Sequence, residues 1–231
     1  MSAVPIVALD VADVSAALEI VDALGESCRF YKVGSELFTA CGATVVRELR
    51  AREADVFLDL KLHDIPNTVA GGVRAAAALG ARIVTVHASG GEAMIRAASQ
   101  AAAAVGNCAI FAVTLLTSLD ASDVCRIWGR EEPLDLGSEV VRLAEIASDG
   151  KAAGVVCSGR EARAVKAWFG TALEVLIPGI RLAGGATHDQ SRTATPAEAV
   201  AAGADYVVVG RAVTAAPDRV AAMSEILSQL G

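Results

Sequence analysis

The chain has 231 residues, 54% of them hydrophobic and 20% charged, with 6 prolines and a formal net charge of −7. That composition belongs to an ordered globular protein long enough to bury a substantial core, and it excludes a disordered or fibrous chain. The acidic balance repels phosphate backbones and argues against nucleic-acid binding, although a local cluster of cations can still hold a small anion.

Eight short apolar runs rich in β-branched residues begin near Val4, Phe30, Val56, Ile83, Ala109, Val155, Val175 and Tyr206. Between them lie stretches with helical spacing, such as Val14 to Leu24 and Ala43 to Ala51. Near-continuous apolar runs are strands buried on both faces, and strands that alternate with helices pair in parallel. Eight such units predict an α/β fold, a (β/α)8 barrel, as a single domain over residues 1–231. The alternative is an open doubly wound sheet. Against it, Ala8-Leu9-Asp10 ends the first strand where that fold would place Gly-x-Gly-x-x-Gly.

The uncharged stretch from Ala97 to Leu119 is about as long as a membrane span. Ser99, Gln100 and Gly106-Asn107 interrupt it, so it reads as a helix end, a turn and a buried strand. The N-terminus shows no basic segment followed by an apolar run and a cleavage site. Cys28, Cys41, Cys108, Cys125 and Cys157 are scattered and form no Cys-x-x-Cys pair. They read as small buried hydrophobes in a reducing compartment, not as a disulfide framework or a zinc site. The expectation is a soluble cytoplasmic protein with no membrane or nucleic-acid partner.

In such a barrel, chemistry sits where the strands end. The polar residues there are Asp10, Lys32, Asp59 with Lys61, His87, Thr117 with Ser118, Ser158, Arg181, and Gly210 with Arg211. Asp59 and Lys61 are two apart on a strand and project from one face. Charges on that face are costly unless paired. They form either a structural ion pair closing the barrel mouth or part of a catalytic array, with Lys32 as a nearby second cation. Alternating lysines and aspartates can present an ammonium group at a fixed point. At the eighth strand, Gly210 and Arg211 suit a phosphate, through backbone N–H groups, a short helix start and a forked cation. Asp64, Ile65 and Thr68 follow the strand, and Pro66 ends any continuation of it, so they are carried outward on a turn and helix start.

The run DLKLHDIPNT, with VALD and YKVG before it and VHASGG, LLTSL, IPGIRLAGG, DQSRTATP and VVVGRAV after it, closely resembles the orotidine 5′-phosphate decarboxylase family. The motifs stand in family order from Val7 to Val213. The resemblance implies decarboxylation of orotidine 5′-phosphate to UMP, the last step of de novo pyrimidine nucleotide synthesis, with no metal or organic cofactor. It implies that Lys61 is the proton donor and that Asp59 lies near the departing carboxylate. Lys32 and Asp64 complete the array, with Asp64 supplied by the neighbouring subunit of a homodimer whose sites are shared. Thr68 reaches the ribose across that interface, beside Ile65. Asp10 accepts from ribose hydroxyls, Thr117 and Ser118 read the pyrimidine, and Pro178 borders the pocket. Arg181, Gln190, Gly210 and Arg211 serve the nucleotide and its phosphate. Leu182 to Asp189 reads as a Gly-containing lid. His63 and His87 are read as supporting residues, and Ser89-Gly90-Gly91 as a tight turn.

Two rivals stand beside this reading. A magnesium-dependent sugar-phosphate decarboxylase or aldolase of the same superfamily would also use Asp59, Lys61 and Asp64. The Thr117-Ser118 segment and the Gln190 loop argue against it. A non-catalytic nucleotide-binding barrel would be favoured by loss of Asp59 or Lys61, and both are present.

Overall fold

The structure is a computed structural model that describes residues 2–131, 133–182 and 193–231. Each apolar run forms a strand: β1 (Val4–Leu9), β2 (Phe30–Gly34), β3 (Asp55–Leu62), β4 (Ile83–His87), β5 (Ala109–Val113), β6 (Gly154–Val156), β7 (Glu174–Ile180) and β8 (Tyr206–Val209). Three of them, β3, β6 and β7, begin one residue earlier than the apolar pattern indicates. All neighbours pair in parallel and β8 closes on β1, so the sheet is a closed barrel in sequential order. Closure leaves no unpaired edge, which is why eight apolar strands can coexist without a self-complementary rim.

The two faces of each strand serve different cores. Inward-pointing Ile6, Phe30, Phe57, Ile83, Phe111 and Leu176 belong to the cluster that fills the barrel. Outward-pointing Val7, Val33, Leu58 and Val84 join the larger cluster that packs against the helices, for example on Leu24, Leu49 and Val73. The period-two alternation thus decides which residues near the strand ends can face the barrel mouth.

The helices begin and end on local signals. Asp13 caps Val14–Leu24 by accepting from the Ala16 N–H at 2.9 Å, and Pro66 opens the helix Pro66–Ala78. The Ala97–Leu119 stretch resolves into the end of a helix (Gly91–Val105), a turn with positive φ at Gly106 and Asn107, and β5. No helix among the described residues is long and apolar enough to cross a membrane. Of the cysteines, Cys28, Cys125 and Cys157 are buried, whereas Cys41 and Cys108 are only partly so. Burial pushes the Cys108 thiol up to about 11.

Candidate active site

Four charged residues meet at the C-terminal mouth of the barrel. Asp10 directly follows β1, Lys32 lies on β2, and Asp59 and Lys61 lie on β3. Lys61 Nζ stands 2.7 Å from Asp59 Oδ2, Lys32 Nζ stands 3.8 Å from the same oxygen, and Lys32 Nζ donates to Asp10 Oδ1 at 2.9 Å. The order across the mouth is therefore Asp10, Lys32, Asp59, Lys61, with signs alternating. The side chains of Lys32 and Asp59 are only 12% and 13% exposed, so neither charge is solvated well enough to stand alone. Gly34 shares the inward face with Lys32 and pairs with Asp59 in register. A Cβ on Gly34 would come within 3.0 Å of Lys32 Nζ, so glycine keeps room for the ammonium.

Simple strand alternation does not place Lys61 opposite Asp59. Leu58 pairs with Val84 and Leu62 with Val86, so Asp59, Leu60 and Lys61 stand opposite the single residue Thr85 of β4. This is a bulge, a device that re-aims side chains near functional sites. Lys61 there has φ 49°, in the left-handed region, which costs a non-glycine residue about 1–3 kcal/mol. Its N–H donates to Thr85 Oγ1 at 2.9 Å, and Thr85 Oγ1 donates to Asp59 Oδ1 at 2.9 Å.

Thr85 is fully buried and is not among the residues that the sequence pattern singles out. The available signal was a hydroxyl on the inward face of IVTVH, between Ile83 and His87, because a buried hydroxyl requires partners. His87 ends β4 with its ring 5.4 Å from that of His63. Burial, then the neighbouring His63 and Lys61, hold its imidazole below the usual histidine range.

The four charged residues Asp10, Lys32, Asp59 and Lys61 border a cavity of about 330 Å³. Phe57, Val113, Val156, Leu176 and Val208 form its apolar floor, and Asp10, Lys32, Asp59 and Lys61 stand along one side. Thr117, Pro178, Arg181, Gly210 and Arg211 complete the rim. Arg181 is tied down by its N–H to the Ala194 carbonyl at 2.9 Å and by its guanidinium to the Ile180 carbonyl at 2.8 Å. Arg211 opens the short helix Arg211–Thr214 directly after Gly210. An apolar floor with a charged wall and cations at the far rim suits a flat, partly apolar ligand carrying anionic groups.

Other expected residues lie elsewhere. Asp64, Ile65 and Thr68 are exposed, and none of them borders the cavity. The Asp64 carboxylate accepts from the Ile65 N–H at 2.6 Å, and among the described residues it makes no ion pair with Lys61. Ser118 is exposed and outside the cavity lining. β5 ends at Val113, where Thr114 binds the Val156 carbonyl through both its N–H and its hydroxyl, so Thr117 and Ser118 fall in the following loop and not at the strand end. Ser158 is a buried helix cap in a reciprocal pair with Glu161. Gln190 and the lid from 183 to 189 lie outside the described residues. Among the described residues, no group of three or more His, Cys, Asp or Glu side chains is gathered as a metal site.

The model of the family described as "Orotidine 5'-phosphate decarboxylase / HUMPS family" matches residues 4–226. The chain belongs to this family. Orotidine 5'-phosphate decarboxylase of Halorhodospira halophila is 52% identical over 204 residues, covering 88% of this chain and 85% of the relative. That of Moorella thermoacetica is 46% identical over 232 residues, covering 97% and 91%. The crystal structure of orotidine 5'-phosphate decarboxylase from Lactobacillus acidophilus matches with a TM-score of 0.86 at 37% identity, covering 100% of both chains.

Proposed function

We propose that the chain is a carboxy-lyase that converts orotidine 5′-phosphate to UMP and carbon dioxide, with Lys61 as the proton donor. The observation that carries this reading is the alternating array Asp10, Lys32, Asp59, Lys61 against an apolar floor, in a chain whose relatives bear the decarboxylase name. Those relatives also favour this activity over the magnesium-dependent sugar-phosphate alternative.

The chemistry follows from the charges. Breaking the bond between C6 and the carboxylate leaves its electron pair on C6, in the plane of the pyrimidine, where the ring cannot delocalise it. A fixed ammonium beside C6 stabilises that charge as it develops, and does so strongly where water is scarce. The ammonium of Lys61 then transfers one proton to C6, forming the C–H bond of UMP, and the neutral amine regains a proton from water. Asp59 lies beside the substrate carboxylate and is relieved of that neighbour as carbon dioxide departs. Lys32 offsets the Asp59 charge and, with Asp10, faces the ribose hydroxyls. Thr117 and Ser118 address the base edge, and Pro178 bounds it. Arg181, Gln190, Gly210 and Arg211 take the phosphate end.

The same reading makes the chain one catalytic barrel domain that works as a cytoplasmic homodimer. Its support is the outward placement of Asp64, Ile65 and Thr68 at the start of the helix Pro66–Ala78, with Ile65 67% exposed. In the dimer, Asp64 completes the partner's array beside Lys61, and Ile65 and Thr68 cover the partner's nucleoside. No metal or organic cofactor takes part.

The test is direct. Purified protein, treated exhaustively with EDTA, is given orotidine 5′-phosphate, and UMP and carbon dioxide are measured. Stoichiometric UMP is expected. Activity that vanishes with the chelator and returns with magnesium, or no UMP at all, overturns the reading.

A further inference from the structure

We propose that Thr85 is a positioning residue for the decarboxylation, acting through a single hydroxyl that fixes both Asp59 and Lys61. The inference rests on the proposed reaction. In the register of β3 against β4, Thr85 alone faces the three-residue bulge Asp59-Leu60-Lys61. The bulge takes the Lys61 N–H out of the regular ladder, and Thr85 Oγ1 accepts it at 2.9 Å. A buried N–H needs such a partner. The bond also anchors the backbone where Lys61 holds φ 49°.

The direction of the second bond follows from valence. The Lys61 N–H can only donate and a carboxylate can only accept, so the one hydroxyl proton of Thr85 goes to Asp59 Oδ1, 2.9 Å away. Asp59 Oδ2 is left for the Lys61 ammonium at 2.7 Å and the Lys32 ammonium at 3.8 Å. The hydroxyl thus sets which carboxylate oxygen faces the lysines, and it sets the backbone from which Lys61 reaches them. Thr85 is fully buried and is absent from the cavity lining, so it acts without touching the ligand. Neighbours on β4 reinforce the contrast: Ile83 on the same face is apolar core, whereas the Thr85 hydroxyl bonds to Lys61 and Asp59.

The experiment compares the parent with Thr85→Val, which removes the hydroxyl at nearly constant shape, and Thr85→Ser, which keeps it. Steady-state kcat and KM for orotidine 5′-phosphate, UMP affinity and melting temperature are measured for each. Loss of one buried hydrogen-bonding partner predicts that Thr85→Val lowers kcat roughly ten- to hundred-fold. KM and UMP affinity should stay within about threefold, because a misaimed Lys61 weakens the transition state and not the grip on the ground state. Thr85→Ser should restore most of kcat. Thr85→Val with kcat within about threefold of the parent overturns the proposal, as does a Thr85→Ser loss equal to that of Thr85→Val. If Thr85→Val does not fold, Thr85→Ala replaces it in the same comparison. Failure of both to fold would make Thr85 a structural residue and also overturn the proposal. An inactive parent would instead reject the proposed reaction, so the two failures are distinct.

Discussion

Asp59 and Lys61 face each other across a bulge in their own strand, with 2.7 Å between carboxylate and ammonium. Asp59 Oδ2 also lies 3.8 Å from Lys32 Nζ, so one oxygen organises two cations. Asp59→Asn removes the charge that holds them together while nearly preserving shape. It should lower kcat by about a hundredfold or more, as loss of a preorganised electrostatic contact does. The check is kcat with orotidine 5′-phosphate alongside UMP affinity. A variant as fast as the parent would show that the Asp59 charge is not used.

The phosphate end makes a separate prediction. Arg211 borders the same cavity at the end of β8. Remote binding energy can be spent on organising the reacting groups, so Arg211→Ala should lower kcat/KM by about a hundredfold or more. Orotidine lacking its phosphate should react poorly with the parent and lose little further with Arg211→Ala. Equal loss with both substrates would mean that Arg211 does not act on the phosphate.

Much of this site was legible in the sequence because its residues break a pattern. Asp10, Lys32, Asp59 and Lys61 are charges inside or at the end of apolar runs, and the barrel brings those ends together. Thr85 was not legible. Threonine is an ordinary strand residue, and Asp59-Leu60-Lys61 alternates on paper as if the strand were regular. Only the pairing of Leu62 with Val86 reveals the bulge that gives Thr85 its two partners. The loop position of Thr117 and Ser118 was hidden for a related reason. The apolar run continues to Leu116, but Thr114 ends the strand by bonding to Val156.

The assembly is tested by subunit mixing. Lys61→Ala and Asp64→Ala proteins, each inactive alone, are combined and allowed to exchange. With shared sites, a mixed dimer holds one site with both lesions and one with neither. Random mixing in equal amounts should restore about a quarter of the parent activity, since half the dimers are mixed and half their sites are intact. No recovery after verified exchange would assign Asp64 to its own subunit.

Stability away from the mouth depends on Glu139, whose side chain is 6% exposed and binds Arg142 at 2.5 Å and Arg130 at 3.3 Å. The Arg142 hydrogen bond, the largest cause, holds its carboxyl below the usual carboxylate range against the cost of burial. A depressed carboxyl contributes stability that is present above its ordinary value and lost as the pH falls through its folded value. Glu139→Gln should therefore cost about 1–2 kcal/mol at neutral pH, allowing for solvent around the arginines. The gap from the parent should close in acid. Urea unfolding at several pH values measures it, and a gap that stays constant from neutral pH into acid would contradict the ion-pair account.

The central claim is that the Lys61 ammonium both stabilises the developing charge at C6 and protonates it. The most direct measurement is the turnover of orotidine 5′-phosphate by Lys61→Ala, with UMP binding followed on the same preparation. Loss of both functions predicts a fall in kcat of about 10⁴-fold or more, while UMP still binds. Turnover within about a hundredfold of the parent, in protein shown to bind UMP, would contradict the role assigned to Lys61.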